Sequence, residues 1–514
     1  MSDNRENNAN SERRAFASRT PASENPEPLK YRRGFVTGHQ VTGWRFVMRR
    51  IASGVALHDA RMLVDPLRSQ SRAFSMGAVI VVTGLVGCFV FSLLRPSGIA
   101  GTDPVLADRS TAALYVRVGD NLHPVLNLTS ARLIAGKAVD PTMVKSTQLD
   151  QFPRGNLIGI PGAPERMVQA KSTDAAWAVC ESADTRAVTV IAGALDTSGD
   201  KATELTRDRA VVVSSDSGTW LLWDGHRSAL NLGDVAVTSA LGLTAPPAVR
   251  PVTTSLLNAI PETPALVVPA IQGAGTPTAY PLPIAAPIGS VLVSSSTDNS
   301  PVYYAVLTDG VQQVSPVIAS ALRNANSYGL EQPPRLTADQ VAHLPTSSAI
   351  DTRVFPSAAI KPLAANEDPV LCTRFTKTAD AASDSWSLLA GSILPLSDSV
   401  HAVQLISPAA TRVAITPGIG YLVQPGGRGG YQWISDTGVR YGIDTEAEGD
   451  KTLEALGLHK PALTIPSSIL DLFASGPSLS RSDALLAHDS LAPSDRQAAR
   501  IQTDNPSAQA QESR

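Results

Sequence analysis

The sequence holds little of what catalysis or nucleic-acid binding requires. Three cysteines, Cys88, Cys180 and Cys372, are spread over 514 residues, too far apart in sequence to suggest a zinc-type cluster. The eight histidines are scattered, with no HExxH and no other close ligand pair. No GxxxxGK[ST] phosphate loop occurs: Gly136-Lys137 is followed by Ala138 and lacks the upstream glycine. Ser214 to Gly218 (SSDSG) has no GxSxG elbow around it and reads as a polar turn between strands. Gly426 to Gly430 (GGRGG) is followed by no helical pattern and reads as a loop tip, not an anion cradle. No catalytic residue, cofactor or metal is therefore expected. Aromatic residues make up 5% of the chain, which argues against a nucleic-acid surface. Long apolar runs are missing as well, with one exception.

That exception runs from Ala73 to Leu94 without a single charge. At about 1.5 Å per residue it covers the roughly 30 Å hydrocarbon core of a bilayer. Residues 1–72 hold 13 of the 43 Lys and Arg against 7 of the 46 acids, which leaves 30 bases and 39 acids beyond them. The positive-inside rule then predicts a cytoplasmic N-terminus and a bulk that lies outside, on the periplasmic side of the plasma membrane. A cleaved signal peptide is the rival reading, with Gly98-Ile99-Ala100 as its small-residue site. It fits poorly, because a signal's apolar region is shorter and sits at the extreme N-terminus.

Five regions follow: a disordered tail over 1–40, a basic amphipathic cytoplasmic helix over 41–65, a transmembrane helix over 66–95, an extracytoplasmic domain over 96–492 and a disordered tail over 493–514. At 100° per residue, Trp44, Met48, Ile51, Val55 and Met62 fall along one line, with Arg49 and Arg50 on the opposite half. Phe46, Leu57 and Val64 make a second apolar cluster. Two apolar faces suit a helix held between protein chains better than one lying on lipid; an ordinary juxtamembrane helix is the plainer alternative. Asp65-Pro66 reads as an N-cap and first helical position, opening a helix to Leu94. Gly77, Gly84, Gly87 and Cys88 form a small-residue patch suited to close helix packing within the span.

The wording of this block is specific. QVTGWRFVMRR, DARMLVDPLRSQSRA, the span with Gly87-Cys88 and the exit Leu94-Arg95-Pro96 resemble the EccB family, a membrane component of the actinobacterial type VII secretion system. PVLNLTSARLI (Pro124 to Ile134), PRGNLIGIPGAP (Pro153 to Pro164) and SGPSLSR (Ser475 to Arg481) carry the resemblance onward. It implies a structural and assembly subunit with EccC, EccD, EccE and the mycosin protease as partners, and an outer domain that self-associates. Some members carry an ATPase label, so an extracytoplasmic nucleotide hydrolase is the alternative. A membrane-anchored cell-wall binding module is a third reading.

The outer part reads as mixed α/β (α+β), an elongated array of four divergent repeats around a β-rich core. Each repeat has a strand-like run into a turn: Gly119-Asp120, Asp224-Gly225, Asp309-Gly310 and Asp436-Thr437-Gly438. A glycine follows each turn at a nearly constant interval, at Gly136, Gly242, Gly329 and Gly457. Proline then follows a second helix-like run in three of the four, at Pro153, Pro261 and Pro345. The turn glycines Gly119, Gly225, Gly310 and Gly438 are unevenly spaced, which rules out a simple short-repeat solenoid. Ala245 to Ile288 is dense in proline and reads as extended chain strapping two repeats together. Valine-rich runs at 187–191, 210–213 and 289–293 read as buried strands. Cys180 and Cys372 are the two cysteines outside the membrane, where oxidation is permitted. Two unpaired thiols and one bond are both open to them; the resemblance implies the bond.

Overall fold

The structure is a computed structural model. It describes residues 37–58, 66–94, 100–243, 247–364, 366–406, 412–446 and 449–489. Two compact units divide the chain, Met1–Pro96 and Ser97–Arg514.

In the first unit, α1 spans Gly38–Leu57 and α2 spans Pro66–Leu94. Thr37 precedes α1, and its N–H donates to Gln40 Oε1 at 3.0 Å, one arm of a T-x-x-Q cap. The predicted helix over 41–65 is therefore displaced: it begins earlier and stops at Leu57. His58 adopts a left-handed conformation (φ 55°), which breaks the i to i−4 hydrogen-bond ladder. Met62, Val64 and the capping residue Asp65 lie outside the described residues, as do the C-terminal tail and the N-terminal one up to residue 36. Helix α2 is 29 residues long, and its 20 residues Arg72–Phe91 have a mean hydropathy of 2.3. It is the one helix, among the described residues, long and apolar enough to cross a membrane.

The second unit is built from one motif used four times. In the first repeat, β1 (Val105–Asp108), β2 (Leu114–Val118) and β3 (Asn121–Pro124) form an antiparallel meander. Helix α3 (Leu128–Ala135) leads to β4 (Thr142–Val144), which returns parallel to β1. A short α4 (Ser146–Leu149) then brings Arg154 parallel to Leu122 of β3. The chain continues into β5 (Leu157–Ile158), a core hairpin β6 (Ala175–Ser182) and β7 (Val188–Ala192), and the short β8 (Thr203–Glu204). The second repeat is β9 (Arg209–Ser215), β10 (Gly218–Trp223), β11 (His226–Leu230), α5 (Val235–Ala240), β12 (Arg250–Pro251), α6 (Thr254–Ala259) and β13 (Glu262–Leu266). Its returning strands pair in the same sense, β12 with β9 and β13 with β11.

The third repeat has β14 (Val291–Ser295), β15 (Pro301–Val306), β16 (Val311–Val314), α7 (Pro316–Ala325) and α8 (Ala338–Ala342). Single parallel bridges, Val293 to Arg335 and Val311 to Thr346, replace its returning strands. Next come β17 (Lys361–Pro362), a second core hairpin β18 (Val370–Lys377) and β19 (Ser385–Gly391), then β20 (Ala402–Gln404) and β21 (Arg412–Ala414). The fourth repeat is β22 (Tyr421–Pro425), β23 (Gln432–Ile434), β24 (Val439–Gly442), α9 (Lys451–Leu456), β25 (Leu463–Ile465), α10 (Ser467–Leu470) and β26 (Ala474–Ser475). Finally α11 (Arg481–Ala484) precedes β27 (Ala487–His488), which pairs with β5 beside the first repeat.

All four predicted turns are the hairpin between the second and third strands. Three of the later glycines end the first helix with positive φ: Gly136, Gly242 and Gly457. Gly329 does not. Helix α7 ends at Asn326 in an extended conformation, and Gly329 sits in the following turn. The proline-dense stretch also needs correction. Helix α6 and strands β12 and β13 lie within it, because Pro251 and Pro261 fall outside the helix, where they cost nothing.

The repeats pack out of sequence order. Val116, Leu133 and Ile134 of the first share a core with Leu422, Trp433 and Leu456 of the fourth. Val212, Leu221 and Leu241 of the second share another with Val291, Ile318 and Leu322 of the third. The two hairpins join in a seven-stranded sheet, ordered β20-β21-β7-β6-β18-β19-β8. One face of it, with Trp177, Val179, Leu371 and Phe375, packs on both the second and the fourth repeat.

Candidate interaction surfaces

Helix α1 carries the predicted docking residues on its surface. Trp44, Phe46, Met48, Ile51, Val55 and Leu57 are all exposed, Val55 by 75%. Arg49 and Arg50 are exposed as well. The 20-residue helix keeps Trp44, Met48, Ile51 and Val55 at i, i+4, i+7 and i+11, a single stripe, and sets Phe46 and Leu57 apart from it. On α2, Gly77, Gly84 and Gly87 have no atom within 4 Å of where a Cβ would stand, and Cys88 is an exposed free thiol. Beyond their own helix, the three glycines face open space among the described residues.

Cys180 and Cys372 are joined, with an S–S distance of 2.07 Å. They are direct partners in the antiparallel β6–β18 register, and both are fully buried. Beside them lies a network that sequence reasoning missed. Arg250, 2% exposed, donates from Nη1 to Asp368 O (2.9 Å) and from Nη2 to Pro369 O (2.5 Å) and Glu181 O (3.3 Å). Burial pushes its guanidinium pKa down, opposed by the charge of Glu181. Glu181 Oε2 accepts from Thr253 N (2.8 Å) and Oγ1 (2.6 Å). The group clips the second repeat to both core hairpins. Trp177 serves the fourth repeat in the same way, donating to Thr464 O at 2.9 Å and meeting Tyr421 edge-on at 5.2 Å. No motif flags these residues, because their partners lie up to 287 positions away.

The turn glycines of the second and fourth repeats abut the core sheet. A Cβ on Gly225 (φ 80°) would lie 2.4 Å from Trp386 O, and one on Gly438 (φ 81°) 2.9 Å from Val413. Glycine is required there for backbone angle and space alike.

A cavity of about 550 Å³ lies between the second repeat and the segment 351–357. Arg207, Asp224, His226, Asp351 and Arg353 line it. Each arginine faces an acid: Arg207 lies 3.7 Å from Asp224 and Arg353 lies 3.0 Å from Asp351. His226 Nδ1 is 2.7 Å from Asp224 O. Among the described residues no group of three His, Cys, Asp or Glu is placed to hold a metal. SSDSG forms the β9–β10 hairpin turn and GGRGG the β22–β23 loop. The more extensive candidate surfaces are thus those of assembly: an apolar helix, an apolar span and a repeat domain.

Residues 33–493 match the family described as "Type VII secretion system ESX-1, transport TM domain B". The chain belongs to the EccB family. It is 58% identical to the ESX-3 secretion system ATPase EccB3 of Mycobacterium tuberculosis over 518 residues, covering 95% of this chain and 96% of that one. With the protein of the same name from Mycolicibacterium smegmatis, identity is 56% over 498 residues, 93% and 96% of the two chains. Among solved structures, an EccB3 dimer from the ESX-3 core complex matches with a TM-score of 0.69 at 50% identity, covering 75% of this chain and all of that one. A chain of an intact ESX-5 inner membrane complex matches with a TM-score of 0.71 at 33% identity, covering 92% and 99%. The mixed α/β repeat architecture is that of the periplasmic part of EccB proteins.

Proposed function

We propose that this EccB protein is a structural and assembly subunit of a type VII secretion membrane complex. Helix α2 anchors it by one crossing, with α1 on the cytoplasmic side and the repeat domain outside. The charge asymmetry around the span supports that orientation. The observation that carries the reading is the match to chains solved within ESX complexes, over 92% of this chain in the ESX-5 inner membrane complex and 75% in the ESX-3 core complex. Identity of 58% with EccB3, against 34–36% with EccB1, EccB2 and EccB5, favours an ESX-3-type system. In this reading α1 docks on other membrane subunits through its Trp44–Val55 stripe, the glycine patch of α2 packs against a neighbouring span, and the repeat domain self-associates.

The test is extraction in mild detergent followed by size measurement. The full chain is expected in a large complex that loses integrity when residues 1–95 are removed. An unchanged small particle in both cases would overturn the assembly role. The names of the relatives include the word ATPase. Phosphate release from ATP by the pure chain, abolished by Arg353→Ala in the cavity beside residues 351–357, would support that second reading.

A further inference from the structure

The core sheet has two unlike edges. One is β8, two residues long and bearing Glu204, a short acidic strand of the kind that blunts edge pairing. The other is β20, whose one partner strand among the described residues is β21. Residues 402–406 read Ala-Val-Gln-Leu-Ile, with no charge, proline or glycine. All three residues of β20 are exposed, Val403 by 40%, and Ile406 just beyond it by 76%. An uncharged apolar edge of this kind is a template for another strand.

Alternation places the side chains. Val403 and Leu405 share the face of Val413, toward the main core, while Ala402, Gln404 and Ile406 share the opposite face. On that opposite face a cavity of about 510 Å³ is lined by Ile393, Leu394, Val400, His401 and Arg412. The cavity runs across the sheet face, since Ile393 bridges Lys201 beside β8 at the other edge. Ile406 is therefore the exposed apolar side chain beside Gln404 and Arg412 at the open edge.

The β20–β21 hairpin is also a departure from the pattern of the domain. Between core hairpin and following repeat the chain runs 193–208 in the first half but 392–420 in the second. The added length carries the open edge. Resting on the self-association reading above, we propose that two copies of this chain pair through their β20 strands, antiparallel, joining two seven-stranded sheets across a two-fold axis. Each Ile406 is then covered by the partner copy. A second copy fits this edge because like strands meet without charge repulsion, and because a 50% identical relative is solved as a dimer.

The experiment uses the full chain in detergent, in a Cys88→Ser background so that the span cannot cross-link. Val403→Cys and Gln404→Cys, one at a time, are expected to give disulfide-linked dimers under mild oxidation, while Thr203→Cys at the β8 edge stays monomeric. Val403→Lys/Ile406→Asp, both at exposed positions, is expected to raise the dimer dissociation constant by at least about tenfold, with unchanged far-ultraviolet circular dichroism. A wild-type chain that is monomeric overturns the self-association reading and this proposal with it. A wild-type dimer that persists in the charged variant, with no cross-link at 403 or 404, overturns the β20 edge alone.

Discussion

Removing the Cys180–Cys372 bond tests how the repeat domain is held together. The two cysteines are 192 positions apart, so the bond forbids the unfolded chain a very large loop. In the loop-entropy description that restriction is worth about 5 kcal/mol at 25 °C. The folded side loses little, because β6 and β18 remain paired along their length without it. Replacing both cysteines by alanine suits the site, since Ala178, Ile191 and Leu389 surround them and a hydroxyl there would lack a partner. Residues 100–489 would unfold with an entropy of about 0.8 kcal/mol per kelvin at about 2.1 cal/mol/K per residue, so the full effect lowers Tm by about 6 °C. The assay is calorimetry of Cys180→Ala/Cys372→Ala beside the wild type in the same detergent. Mass measurement should show the wild type two hydrogens lighter before reduction than after. Because both sulfurs are buried, reductant should act only on unfolded protein. A Tm within about 1 °C of wild type would refute the reasoning, since the unfolded chain would then gain no freedom from losing the bond.

Three further outcomes follow from single contacts. Gly225→Ala should destabilise the domain by about 1–3 kcal/mol, through positive φ and the approach to Trp386 O, whereas Gly119→Ala, with φ of 60° but open space, should cost about 1 kcal/mol; paired chemical denaturation curves measure the difference. Arg250→Met should cost about 2–4 kcal/mol, because three carbonyls lose a charged donor, while the Glu181 carboxylate keeps Arg186 at 3.0 Å and Thr253; the denaturation midpoint reports it. Lys361 and Thr206, bonded to Asp208, hold its carboxyl down at about 2. The stability this gives is present above the ordinary carboxylate pKa of about 3.9 and lost as pH falls toward about 2, so Asp208→Asn should flatten the acid limb of a stability profile between those values and leave the neutral region's slope unchanged.

What the sequence shows plainly is whatever depends on neighbours along the chain. The uncharged run from Ala73 to Leu94 reads as one long apolar helix, and α2 contains all of it, from Pro66 to Leu94. The four hairpin turns are legible because a tight turn of two to four residues needs glycine or its close equivalents at fixed places. Helix ends are legible where a glycine closes them, as at Gly136 and Gly457, whereas Gly329 closes none, because its helix ends on an extended Asn326. Helix α1 is overextended in the reading because apolar spacing continues past His58, while the backbone itself turns away there. Arg250, Glu181 and Trp177 stay hidden for a different reason. Their roles depend on partners 69 to 287 positions distant, and no local pattern distinguishes an arginine bound to three carbonyls from one in solvent.

The uneven spacing of the turns has a structural cause. The order repeat, core hairpin, repeat occurs twice, once over β1–β13 and once over β14–β26. Gly119 and Gly310, equivalent turns in the two halves, are 191 positions apart, and Cys180 and Cys372 are 192 apart. The bond therefore joins equivalent residues of a duplicated unit where its two central strands meet. Yet neither half is self-sufficient: the first repeat completes its core with Leu422, Trp433 and Leu456 from the other half, and the second repeat with Val291, Ile318 and Leu322. In a solenoid each repeat buries its apolar face on its sequence neighbour, and stability accumulates unit by unit. Here the shared cores force the halves to fold together, at the loop-closure cost that long-range pairing brings. A covalent link between the halves offsets part of that cost once they have met, and this makes its position at the junction physically sensible.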